Sequence, residues 1–156
     1  MKRFQFRLER LLRLKEQRKR QAELAQAQAR QALDRARAEV ASLLGQLAAA
    51  AEECARRVGR PLPAGEWLLR QDHVGRLRAA LDAAEEGVRQ AERNLAEADA
   101  RRARAALEVE ALTRLRQRQW EAWRRDADRA EQGQADELGM RRWQAGAEAL
   151  AGGQSP

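Results

Sequence analysis

The chain has no isoleucine and no tyrosine, one cysteine, one histidine and three prolines. Its only valines are Val40, Val58, Val74, Val88 and Val109. A β-sandwich or an α/β sheet needs β-branched runs between turn signals, and no such run exists. Cys54 and His73 alone cannot build a zinc or iron–sulfur site, so no metal and no cofactor is expected. Only Ser42 and Ser155 are present and neither is close to His73 in sequence, which leaves no serine triad. The lysines are Lys2, Lys15 and Lys19, and none follows a glycine as a phosphate-cradling loop requires. A single cysteine forms no internal disulfide, in keeping with a reducing compartment. No apolar run approaches the 18 residues of a membrane span. No apolar core or cleavage site follows the basic N-terminus, so the expected location is the cytoplasm.

What is present is helix-forming. Charged residues make up 35% of 156 and aromatics 4%, with Ala, Arg, Leu, Glu and Gln dominant. These residues lose little freedom in a helix, and their abundance points to long helices or coiled coil. The expected fold class is all-α.

The formal net charge of +7 is concentrated. Residues 1–20 hold 9 basic and 2 acidic side chains. That density suits an acidic partner: a protein surface, a nucleic acid or an anionic membrane.

One strong break interrupts the chain. Gly59, Pro61, Pro63 and Gly65 fall within seven residues, and helix cannot run through them. On either side apolar residues recur at alternating steps of three and four. The first series runs Leu8, Leu12, Lys15, Lys19, Ala22, Gln26, Ala29, Leu33, Ala36, Val40, Leu43, Leu47, Ala50, Cys54. The second runs Val74, Leu77, Leu81, Ala84, Val88, Ala91, Leu95, Ala98, Arg102, Ala105, Val109, Leu112. A sustained 3.5-residue period is the signature of a left-handed coiled coil. After Leu112 the spacing passes through Arg116, Trp120, Trp123, Ala127 and Ala130, a stutter that locally unwinds the supercoil. One tight break between two heptad arms predicts an antiparallel two-helix coiled-coil hairpin. It would be a single unit over 1–143, with a first arm of about 3–57, a turn at 58–65 and a second arm of about 66–140. The glycines at 146, 152 and 153 suggest a disordered tail over 144–156. From Lys15 to Ala29 the seam holds no large apolar residue. Each Leu replaced by Ala forgoes about 2 kcal/mol of burial. The end carrying both termini is therefore only marginally zipped.

Several residues stand out. On a helix, Phe4, Leu8, Leu11, Leu12 and Lys15 share one face, and the other faces are basic. That stripe either docks into an acidic-rimmed groove or packs on the second arm. Trp120 and Trp123 either pack on Phe4 and Leu8 or anchor a partner beside Arg124, as Trp and Arg often do. Trp67 is expected to plug the hairpin tip against Leu47 or Ala50, His73 to be solvated, and Cys54 to be a small seam residue. Paired carboxylates such as Glu52-Glu53 and Glu85-Glu86 have no cleft to raise a pKa, so acid–base catalysis is not expected. A basic segment ahead of heptads has the outline of a bZIP protein. Here, however, it is interleaved with Phe and Leu and lacks Asn, the usual reader of adenine.

The opening Phe4-x-Phe6-x-Leu8-x-x-Leu11-Leu12-x-Leu14-Lys15-Glu16 resembles the start of the FliJ family of the flagellar type III export apparatus. So do the break some 60 residues in, Trp67 opening the second arm, the Trp120/Trp123 region, and the stretch Arg129-Ala130-Glu131-Gln132 to Asp136-Glu137-Leu138 and Arg142. The resemblance implies a non-enzymatic hairpin similar to the shaft of a rotary ATPase γ subunit. Such a stalk enters the hexameric export ATPase, promotes its assembly and activity, links it to the membrane export gate and escorts export chaperones. By this likeness the ATPase contact falls on Phe4, Arg7, Leu8, Arg10, Leu11, Arg13, Lys15, Trp120, Trp123 and Arg124. The gate contact falls on Trp67, His73, Leu77 and Ala80. The protein would be a monomer when free and would sit peripherally at the inner membrane. An injectisome stalk has the same architecture. A different class of reading is a basic scaffold that dimerises through its seam and binds anionic membrane or nucleic acid.

Overall fold

In the computed structural model, which describes residues 3–153, the chain forms two α-helices packed against each other and no strand among those residues. Helix α1 is Glu9–Arg56 and helix α2 is Ala64–Gly152. The architecture is the all-α helical hairpin expected from the heptads. Two compact units make up the chain: Lys15–Leu107, and Met1–Leu14 with Glu108–Pro156.

In the Lys15–Leu107 unit the core is a single seam. Leu33 and Leu43 of α1 and Leu77, Ala91 and Ala98 of α2 are buried. The remaining positions of both heptad series that fall in this unit are half-buried, with one exception, Arg102, which is exposed. The arms run antiparallel, as three cross-pairs show. Gln26 donates its side-chain amide to Asp99, Arg37 Nη2 lies 3.6 Å from Glu92, and Arg70 Nη2 lies 3.8 Å from Glu53. The polar stretch read from the sequence lies inside this seam, with Lys15, Lys19 and Gln26 half-buried. Polar groups at such positions weaken pairing while selecting one register.

The turn follows from its punctuation. After Arg56 the amides of Arg57 and Val58 bond back to the carbonyls of Cys54 and Ala55 at 3.1 and 3.3 Å. Gly59 then adopts φ 83°, a left-handed geometry that a side chain disfavours. Pro61 and Pro63 prevent the helix from resuming, and α2 opens when Trp67 N donates to the carbonyl of Pro63 at 3.2 Å. Glu53 gathers Arg56 and Arg57 of its own helix together with Arg70 of α2.

In the other unit, residues 3 to 6 are not helical. Glu9 N bonds to the carbonyl of Phe6 at 3.2 Å, and α1 starts there. Placing Phe4 on a helical face with Leu8 and Leu11 is therefore corrected: helix begins only at Glu9, where an acidic residue in the first turn suits the helix dipole. Phe6 and Leu12 form the core of this unit, and Leu12 is 3% exposed. Arg116, placed on the seam by spacing, is exposed, while Leu115 beside it is half-buried. Helix α2 continues to Gly152 through the residues read as a tail. Its Ala- and Glu-containing composition keeps helix propensity high despite the glycines. Every described residue from Asp128 onward is exposed. Residues 154–156 lie outside the described residues.

Candidate docking surfaces

The first surface belongs to the unit containing the N-terminal segment. The short non-helical strap of residues 3 to 6 lies on α2. The Phe4 ring meets Trp123 with centroids 5.9 Å apart and planes at 51°, a tilted geometry favoured by the ring quadrupoles. One turn earlier on α2, the guanidinium of Arg124 covers Trp120 at 5.3 Å, a cation–π contact. Glu9 binds Arg13 at 3.8 Å and Arg116 at 3.4 Å. Between strap and helix lies a groove of ≈ 780 Å³, lined by Arg3, Phe4, Thr113, Arg116, Trp120 and Trp123.

Of the residues tied to an ATPase contact, Phe4, Trp120, Trp123 and Arg124 are thus brought together at this groove or its edge. Arg7 and Leu8 lie in the turn just before α1, Arg10, Leu11 and Arg13 at its start, and all five are exposed. Lys15 belongs to the Lys15–Leu107 unit and is half-buried. Trp123 packs on Phe4, one of the two alternatives the sequence left open, and both indoles stay half-exposed. Sequence reasoning missed Phe6, the buried partner in this unit. The signal was available in Phe4-x-Phe6, an alternation of period two that belongs to extended backbone.

The second surface lies at the turn end of the Lys15–Leu107 unit. A cavity of ≈ 580 Å³ is lined mainly by Ala49, Ala50, Cys54, Leu69, His73 and Val74. Trp67 does not plug the tip: it is 56% exposed. Trp67 lies three and seven residues before Arg70 and Val74, on the same side of α2, and lines a shallow cavity with Cys54, Val58, Leu62 and Arg70 rather than filling it. Cys54 is half-buried and His73 exposed, as expected. Of the four residues tied to a gate contact, Trp67, His73 and Ala80 are exposed, whereas Leu77 is buried at 7%. Leu77 therefore cannot meet a partner unless the seam opens. Leu68 and Leu69, not singled out from the sequence, are exposed beside Trp67.

Elsewhere on α2 the Glu86 carboxyl is held below its ordinary range by hydrogen bonds from Arg89 and then Arg93. Among the described residues no group of His, Cys, Asp and Glu assembles as a metal site, and no helix is long and apolar enough to cross a membrane.

Two long helices packed against each other define an all-α helical hairpin. The chain is a member of the FliJ family: the family model described as Flagellar FliJ protein matches residues 4–148. No curated protein and no solved structure matches it. Membership makes the protein a component of flagellar export, in a family not known for enzymes.

Proposed function

We propose that this protein is a non-enzymatic stalk of the flagellar export apparatus, acting on the hexameric export ATPase. The observation that carries the reading is the family match over residues 4–148 on a two-helix hairpin. The end formed by the N-terminal segment and the Trp120–Arg124 turn enters the ATPase ring through Phe4, Arg7, Leu8, Arg10, Leu11, Arg13, Lys15, Trp120, Trp123 and Arg124. A shaft without catalytic residues couples to hydrolysis by binding one arrangement of the ring more tightly than another, which requires only differential affinity. The turn end contacts the membrane export gate through Trp67, His73 and Ala80, with Leu77 supporting that surface from the seam. Export chaperones are escorted on the same hairpin. Free protein is a monomer, and at work it sits peripherally at the inner membrane.

The test is ATP hydrolysis by the export ATPase of the same organism, titrated with this protein at physiological salt. Saturable stimulation near one chain per hexamer is expected. No stimulation together with no co-elution would sink the reading. A basic scaffold would then account for the charge, and its binding to any polyanion would collapse as salt rises.

A further inference from the structure

The geometry points to the Phe4–Trp123 groove as a receptor: it takes an acidic segment of a partner protein that carries one large apolar side chain. Three observations carry this. The groove of ≈ 780 Å³ is far larger than one side chain and is walled by Phe4, Trp120 and Trp123, all half-exposed. It therefore offers aromatic surface with no occupant among the described residues. Its edge is cationic: Arg3 and Arg116 line it, and Arg3 enters no ion pair among the described residues, while Arg116 is shared with Glu9. Two carboxylates of this unit are already paired with arginine, Glu9 with Arg13 and Arg116, and Glu110 with Arg114. An unpaired guanidinium beside an apolar wall, here that of Arg3, draws an incoming carboxylate. Aromatic and Arg side chains around a desolvated pocket are the usual place for an anchoring residue.

The third observation selects protein over nucleic acid. A strand of bases binds by stacking on open aromatic faces. Here Arg124 covers Trp120 and the Phe4 ring lies on Trp123. What remains is a slot between indoles and strap, suited to an aliphatic or aromatic knob flanked by carboxylates. Of the two alternatives left open for the apolar stripe, Phe4 takes the packing one, against Trp123, and the partner supplies the knob. Only the identity of that partner as the export ATPase rests on the stalk reading.

The test uses the full chain with Trp67→Phe and Trp143→Phe, two exposed positions, so that Trp120 and Trp123 are the only indoles. Their emission is followed while adding a short synthetic peptide with one Leu flanked by Glu and Asp. Saturable change is expected. The peptide with Ser for Leu should bind about tenfold more weakly or worse. Arg3→Glu, which lies outside both helices and should leave the circular dichroism unchanged, should weaken the acidic peptide roughly three- to tenfold. An oligothymidylate should leave the emission unchanged. Equal binding of the Leu and Ser peptides, or equal quenching by oligothymidylate, would overturn the assignment in favour of a general polyanion surface. ATPase stimulation by the same variants separates the two ideas. Normal stimulation without peptide discrimination removes the groove and keeps the stalk. Peptide discrimination without stimulation keeps the groove and removes the stalk.

Discussion

Phe4 and Trp123, 119 positions apart in number, hold their rings 5.9 Å apart at a tilt of 51°, and this contact ties a non-helical N-terminal strap to the middle of α2. An aromatic pair of this kind contributes about 0.5–1.5 kcal/mol beyond the area it covers. Phe4→Ala should therefore release the strap while leaving α1 helical. The emission of Trp120 and Trp123 should shift to the red, with little loss of far-ultraviolet ellipticity. A large loss of helix would mean that the strap nucleates α1.

The seam should separate buried from exposed leucines sharply. Leu33→Ala and Leu43→Ala each remove a buried side chain and should cost about 2–4 kcal/mol in urea unfolding. Leu24→Ala and Leu44→Ala, at exposed positions, should change stability by less than about 0.5 kcal/mol.

Glycines inside the helices are correctable. A Cβ added at Gly45, Gly75 or Gly87 meets nothing within 4 Å. Each Gly→Ala change there should raise stability by about 1 kcal/mol, the difference in helix propensity. Gly59→Ala should do the opposite, because φ is 83° at the turn. Thermal melts of the four single variants would decide this.

The Glu86 carboxyl should titrate below an ordinary glutamate, because the charged form accepts hydrogen bonds from Arg89 and Arg93. A folded pKa below the unfolded one means that its stabilisation is present above the unfolded value. It is lost as pH falls through the folded value. Carboxyl NMR titration reads the midpoint directly, and Arg89→Gln should move it back up. The group is fully exposed, so salt should shrink the effect.

The seam was legible in the sequence because steps of three and four leave no freedom: Leu33, Leu43, Leu77, Ala91 and Ala98 are buried where the heptads put them. The turn was legible because two prolines and a glycine each forbid helix for their own reason. The strap was not. Phe, Gln and Arg tolerate helix well enough, and no capping residue marks Glu9 as the start. The packing of Phe4 on Trp123 and the burial of Phe6 decide that backbone, and those depend on residues far away in sequence. At the turn end, Leu77 shows two readings in conflict. The heptad spacing already turned it inward, and a likeness that placed it on a partner surface could not override packing. Trp67 was identifiable as a residue of interest, and its spacing to Arg70 and Val74 gives its side of α2, but its exposure of 56% was not legible.

The distance along the chain between paired arms has a consequence for synthesis. Gln26 meets Asp99 after 73 intervening steps, and ribosomes add about 5–20 residues each second. The first arm therefore waits roughly 4–15 seconds before that partner emerges. During this interval α1 exists as a lone amphipathic segment whose leucines have nothing to face. A seam built over Lys15–Ala29 from alanine, lysine and glutamine leaves the earliest-made part of this unit with little to attract the wrong neighbour. The same sparseness that weakens pairing in the finished hairpin keeps the nascent chain soluble until its second half arrives.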